Sequence, residues 1–405
     1  MSSKTVSPIT RRVKAQRRWY AFCLAVIGPF VKRIYRFRYD KCRIKSKTFL
    51  ALANHTQNLD PALLVIGTRR HMRFVANATL TKGFAGIFLN GCFGIIPRQK
   101  GASGDAVISL IEQNLKEGVS VGMFPEGNRC WDGETEFISR RTAALAKNSG
   151  AALVTYKLTG GYMLQPRWAD VKRKGGMHGS LVREYTPEEL ARMSEDEVYQ
   201  AICRDLHVDA FEEQAASGMT YPGKDLAAGL EKAAYLCPCC NSLGSIGTSG
   251  DDVFCTACGM RATLNAAGRF ESEKLPFTTF LEWNRFQKKW MCDNAQTLRE
   301  RVKVPIASET GLKITLIKSG AAPEVLSACG TFNVFGDRFE LELPESDAGK
   351  LVVPIAETTG FGTFLSGHMY FNCGSGVRYQ MVSQKRIALL KYYALWRVLS
   401  GRDYL

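Results

Sequence analysis

Between residues 49 and 158, short and wholly apolar runs alternate with segments of helical periodicity. This alternation leaves few folds open. Phe49–Ala53 (FLALA), Phe74–Ala76, the stretch ending at Ile95-Ile96 and Val119–Phe124 are too short for helices and read as buried strands. Asp105–Lys116 (DAVISLIEQNLK) spaces its apolar residues as an amphipathic helix does, and Gly118 stops it. Thr142–Asn148 is predicted to be a helix closed by Gly150, and Ala151–Leu158 a further strand. Strands alternating with helices predict an α/β domain with a largely parallel sheet. Such sheets bind ligands beyond the carboxyl ends of their strands. Two polar strings fall there: HTQNLD at 55–60 after the first strand, and FPEGNR at 124–129. Asp60-Pro61 reads as a helix N-cap followed by proline in the first turn.

Past residue 185 the character changes. TPEELARMSEDEVYQAICRDL is polar, acidic and helical, and ASGMTYPGK is loop-like. Leu275–Asp293 reads as a helix carrying Trp283, Phe286 and Trp290. Six strand-like runs follow, from LKITLIKS to VRYQMV, and the amphipathic helix Gln384–Leu399 closes the chain. Closely spaced strands with one terminal helix predict a small β-sandwich or barrel, somewhat like a pleckstrin-homology fold. The predicted division is a basic segment 1–48, an α/β domain 49–215, a linker with a cysteine module 216–270, and a helix plus β-rich domain 271–405.

The 405 residues carry a net charge of +16, and its distribution is uneven. The first fifty residues hold fourteen Lys or Arg against one acid, Asp40, so the rest of the chain is nearly balanced. A basic head on a near-neutral body predicts an anionic partner surface. Balance beyond residue 50 argues for anionic lipid and against nucleic acid. The apolar run Trp19–Val31 is broken by Gly28-Pro29 and falls short of the ~18 residues a membrane span needs. Aromatic residues at its edge and flanking cations suit a segment lying in the interface or dipping into one leaflet. Scattered cysteines among the thirteen fit a reducing compartment. The predicted location is therefore the cytoplasmic face of the cytoplasmic membrane, held peripherally or monotopically.

The two polar strings carry the chemistry. A histidine can take a proton from a hydroxyl near neutral pH. A carboxylate on its other ring nitrogen fixes the tautomer. His55 and Asp60 would lie ~140° apart on an ideal helix, so they meet only if the segment turns between them. In the second string, Arg129 offers a forked donor for phosphate oxygens and Gly127 permits close backbone approach. An H-x4-D string alone is common; the ordered pair about seventy residues apart is not. Together they resemble the signatures of the glycerolipid acyltransferases, the family that includes 1-acylglycerol-3-phosphate acyltransferase. The block at 124–129 departs from the family's FPEGTR pattern at Asn128. The resemblance covers roughly residues 20–180. It implies that His55 is the general base and Asp60 its orienting acid. It implies that Glu126 and Gly127 shape the acceptor site, with Arg129 on the acceptor's phosphate. Arg98 in GIIPRQKG matches the family's intermediate phosphate-binding arginine, with Lys100 as an assistant. The strand AALVTYKL lacks the proline of the family's fourth block. No covalent acyl-enzyme is implied, so Cys130 has no assigned role. Gly160-Gly161-Tyr162 and Pro166-Arg167-Trp168 resemble a pattern of a bacterial branch.

Cys237-x2-Cys240 and Cys255-x2-Cys258 have the spacing of two knuckles around one tetrahedral Zn²⁺. Four thiolates leave no open position, so the ion would be structural, a staple between the α/β and β-rich regions. Cys239 is a fifth thiol and not a predicted ligand. The resulting expectation is transfer of a fatty acyl group from acyl-CoA or acyl-carrier protein to a lysophospholipid, foremost 1-acylglycerol 3-phosphate, giving phosphatidate. Other acceptors (glycerol 3-phosphate, another lysolipid, a glycolipid) stay open, as does a non-catalytic lipid- or nucleic-acid-binding role.

Overall fold

The computed structural model describes residues 8–77, 86, 94–98, 104–346, 348–364, 367–374, 376–402 and 404, with the side chains of 8–12, 14 and 15 left out. Lys100, Cys92 and most of the Gly83–Gly94 stretch lie outside the described residues. The chain divides into two compact units, Met1–Arg167 with Arg173–Tyr221, and Trp168–Lys172 with Pro222–Leu405.

The first unit opens with helices α1 (Pro8–Val26) and α2 (Gly28–Ile34). Pro29 at the start of α2 has no N–H to donate, which sets the break that the sequence predicts. Val13, Tyr20, Cys23, Val31 and Tyr35 face inward, while Trp19, Phe22 and Phe30 are 56%, 57% and 64% exposed. The buried Arg73 ties α1 to the domain by donating to Gln16 Oε1 and to Asn114 Oδ1. No described helix is long and apolar enough to cross a membrane.

The sheet of this unit holds β1 (Arg38–Tyr39), β2 (Phe49–Ala53), β3 (Arg73–Asn77), β4 (Ile95–Arg98), β5 (Val121–Met123), β6 (Ala152–Thr159) and β7 (His178–Tyr185), in the order β1-β7-β6-β2-β5-β3-β4. Every pairing is parallel except β6 with β7. All five residues of β2 are buried, with β5 and β6 flanking it in the sheet. Leu50, Leu52, Val121 and Leu153 share one core with Ile111 and Leu115 of the helix Asp105–Lys116 and Leu145 of Arg140–Asn148. The predicted α/β architecture is present. The acidic stretch after β7 is two helices, Pro187–Arg192 and Glu195–Leu206, each opened by its own capping box at Thr186/Glu189 and Ser194/Glu197.

In the second unit, β8 (Ile246–Ser249), β9 (Asp252–Cys255), β10 (Arg261–Leu264) and β11 (Phe270–Glu271) form a small antiparallel sheet. The predicted helix over Leu275–Asp293 begins five residues later, at Phe280, where Thr279 and Glu282 make a capping box. After it, β12 (Ala307–Lys318), β13 (Glu324–Val334), β14 (Arg338–Glu342), β15 (Lys350–Pro354), β16 (Thr358–Phe364), β17 (His368–Cys373) and β18 (Val377–Ser383) form one antiparallel sheet in the order β15-β14-β13-β12-β18-β17-β16. The closing helix is shorter than its pattern, Leu389–Leu399. Its Tyr392 packs 5.5 Å from Phe332, which lies 5.1 Å from Phe339. Trp396 donates from Nε1 to Thr358 Oγ1 at 2.8 Å.

Candidate active site

The carboxyl ends of β2, β4, β5 and β6 all open at one edge of the parallel sheet, and each delivers a polar segment there. After β2 the chain turns through 54–60 into α3 (Asp60–Thr68). Asn54 locks that turn to the neighbouring strand, donating to Leu158 O at 2.8 Å and accepting from Leu158 N at 2.7 Å. The turn brings His55 Nδ1 to 3.0 Å from Asp60 Oδ2.

Asp60 is not the helix cap that its place before proline suggests. The cap position is Leu59, without a side-chain bond. Asp60 Oδ2 instead accepts from the amides of Thr56 at 2.6 Å and Gln57 at 2.7 Å, as well as facing His55. The carboxylate thus folds the loop around itself, because its oxygen reaches back along the chain rather than forward into α3. Its side chain is fully buried, while that of His55 keeps 20% of its surface. The imidazole lies on the Phe124 ring, with centroids 4.5 Å apart. With Nδ1 held by Asp60, Nε2 is the nitrogen able to exchange a proton with a ligand.

The second string supports this arrangement from below. Glu126 Oε1 accepts from the His55 amide at 2.6 Å and Oε2 from the Glu136 amide at 2.8 Å. Each oxygen thus accepts a backbone amide, so the side chain braces the histidine loop. Burial pushes the Glu126 carboxyl well above the ordinary carboxylate range, against the pull of those two amides. The turn at Gly127 is left-handed, with φ +71°. Arg98 Nη1 lies 3.5 Å from where a Cβ on Gly127 would stand, so two separated motifs put arginines on one turn. Burial pulls the Arg129 guanidinium below the ordinary arginine range, and the Asp60 charge opposes that pull. Cys130 is fully enclosed, and burial pushes its thiol far up, so it is a poor nucleophile. Sequence reasoning missed Asn54, Gln57 and Phe124; the one available signal was a polar Asn directly after an all-apolar strand.

The four predicted cysteines form a separate cluster in the second unit. Their sulfurs all lie within 4.8 Å of one another. Cys237 to Cys258 is 3.7 Å and Cys240 to Cys255 is 3.8 Å. Sulfurs at the corners of a tetrahedron with 2.3 Å metal bonds stand ~3.8 Å apart, so the set fits a metal ion. Each knuckle closes in the same way. Asn241 and Gly259, just past the second cysteine of each, take φ of 55° and 72°. Their amides return to Cys237 O and Cys255 O at 2.9 and 3.0 Å. Cys239 is outside this set of four, and its thiol donates to Lys274 O at 3.3 Å.

A parallel sheet with a carboxylate-held histidine and an arginine-bearing turn at its carboxyl edge has the parts of a group-transfer enzyme acting on a hydroxyl. Residues 36–166 match the acyltransferase family model, so the chain carries an acyltransferase-family domain. A search of curated proteins finds no significant match. Among solved structures, the chain is similar to the 1-acyl-sn-glycerophosphate (LPA) acyltransferase PlsC from Thermotoga maritima, at 21% identity over 51% of this chain and 83% of that one, with a TM-score of 0.40. It is also similar to the Vps36 N-terminal PH domain, at 14% identity over 24% and 79%, TM-score 0.20. A third likeness is to the C-terminal domain of an unknown protein from Leishmania infantum, at 7% identity over 29% and 99%, TM-score 0.18.

Proposed function

We propose that the first unit transfers a fatty acyl group from a thioester, acyl-CoA or acyl-carrier protein, to the free hydroxyl of a lysophospholipid, foremost 1-acylglycerol 3-phosphate. The observation that carries this reading is the 3.0 Å contact of His55 Nδ1 with a buried Asp60, at the same sheet edge as the turn bearing Arg129. His55 Nε2 takes the hydroxyl proton as the oxygen attacks the thioester carbonyl. The C–S bond then breaks, and the thiol leaves with the proton returned from His55. Asp60 holds the ring and stabilises the imidazolium. Arg129 and Arg98 supply the charge for the acceptor's phosphate, with Gly127 leaving room between them. Glu126 holds His55 in place from behind.

The exposed Trp19, Phe22 and Phe30 and the exposed Arg17, Arg18 and Arg33 support contact of α1 and α2 with an anionic leaflet, where a lysophospholipid resides. The cysteine cluster is read as a structural Zn²⁺ site, because four thiolates in tetrahedral array suit that ion and leave no position for a substrate. The test is acyl transfer in lipid vesicles, with labelled acyl-CoA and acyl-carrier protein offered separately with 1-acylglycerol 3-phosphate. Phosphatidate made by wild type and not by His55→Ala supports both reaction and base. Equal product from the variant overturns the assignment of the base, and no product from wild type with any lysolipid overturns the reading.

A further inference from the structure

The segment 160–167 leaves β6 beside the two motifs, and it is moored to both. Gly160 has φ +77°, and a Cβ there would stand 2.4 Å from Gly176 O. A Cβ on Gly161 would stand 2.1 Å from Thr56 Oγ1, so only glycine lets the segment come this close to the histidine loop. The Gln57 side chain donates from Nε2 to Gly161 O at 2.6 Å and to Gln165 O at 2.9 Å. At the far end, Arg167 Nη1 donates to the carbonyl of Arg129 at 3.0 Å. The same guanidinium lies 4.2 Å over the ring of the buried Trp131. Trp131 is fixed in turn, its amide donating to Glu136 Oε1 at 3.3 Å.

We infer that Arg167 is a positioning residue of this site: through the Arg129 carbonyl and the Trp131 ring, it sets the orientation in which Arg129 meets the acceptor's anionic group. The inference rests on the acyl-acceptor reading above. A long arginine side chain recognises phosphate only as well as its root is held. The Arg129 root is held from one side by the Cys130 amide on His55 O, at 3.2 Å. Arg167 holds it from the other, by a bond that its positive charge strengthens. A lysine reaches the carbonyl but has no planar face to lay on Trp131.

The experiment measures KM for acceptor and donor, kcat, and equilibrium binding of 1-acylglycerol 3-phosphate, for wild type, Arg167→Met, Arg167→Lys, Trp131→Leu and Trp131→Phe. Arg167→Met is expected to raise the acceptor KM and Kd about tenfold or more, with donor KM unchanged and kcat within about threefold. Arg167→Lys falls between, Trp131→Leu repeats the acceptor defect, and Trp131→Phe restores it because the ring face remains. An acceptor KM unchanged in Arg167→Met, or losses shared equally by acceptor and donor, overturns the role of Arg167 while leaving acyl transfer standing. If wild type neither binds the acceptor nor transfers to it, the reading of the site falls and this inference falls with it.

Discussion

A single oxygen, Asp60 Oδ2, receives the Thr56 and Gln57 amides and faces His55 Nδ1. It therefore shapes the loop and holds the ring of the proposed base. Asp60→Asn is expected to keep the loop only in part and to present the wrong tautomer, lowering kcat by about 10²–10⁴-fold. Steady-state rates at saturating acceptor check this. Cys130, though beside the motif, is expected to be dispensable: Cys130→Ala retains transfer, and no acyl group is found on the protein by intact mass. Glu126 makes a prediction in pH. Its folded-state pKa is raised, so the folded state binds more protons than the unfolded chain between the ordinary carboxylate range and the raised value. The stability it contributes is full below its unfolded pKa and is lost as pH rises through the folded one. The stability of wild type relative to Glu126→Gln should thus fall in denaturant titrations as pH rises from the ordinary carboxylate range through the raised folded-state value. A difference that rises with pH would mean that the two amide bonds, and not burial, dominate.

Among the elements, short loops do what the strands cannot. Gly160→Ala puts a Cβ into Gly176 O at a left-handed position, and a loss of ~1–3 kcal/mol in unfolding free energy is expected. Thermal or chemical denaturation measures it, and an unchanged midpoint would mean that the segment relaxes without cost. The cysteine module is joined to its own unit by the helix Phe280–Asp293. Gln287 Oε1 accepts from the Tyr235 and Leu236 amides at 2.6 and 3.0 Å, and Trp283 Nε1 donates to Leu236 O at 2.9 Å. This is the chain that leads into Cys237. Chelation is therefore expected to raise amide exchange over 237–260 and to carry the change into 280–291. Exchange that rises in the knuckles alone would separate the metal site from the helix.

For the whole molecule, charge and apolar surface concentrate in one stretch. Fourteen of the 54 Lys and Arg lie in the first fifty residues, and the exposed aromatics of α1 and α2 lie in the same stretch. Each aromatic side chain buried in lipid is worth about 1.5–3 kcal/mol, and each nearby cation ~1 kcal/mol on an anionic leaflet. Replacing Trp19, Phe22 and Phe30 together by Ser should abolish flotation with anionic vesicles. Neutral vesicles should bind wild type more weakly and with less dependence on salt. Equal flotation of the variant would assign membrane contact elsewhere.

What the sequence determined by itself is local in origin. The all-apolar FLALA run, five residues long, reads as a buried strand, and Cys-x2-Cys repeated once has the spacing of two metal knuckles. The His and Asp of HTQNLD were legible as a pair because five residues and one turn suffice to join them. What tertiary structure alone decided depends on partners far along the chain. The sequence places Glu126 in a motif that shapes an acceptor site, but not that its oxygens accept from the amides at 55 and 136. Arg167 carries no local sign that its guanidinium meets a carbonyl 38 residues away. The excursion Trp168–Lys172 into the second unit, where Asp170 pairs with Lys232 and Arg386, leaves no local mark at all. Periodicity and turn chemistry act over a few residues and can be read along the chain; a buried hydrogen bond between distant segments exists only once both have been brought together.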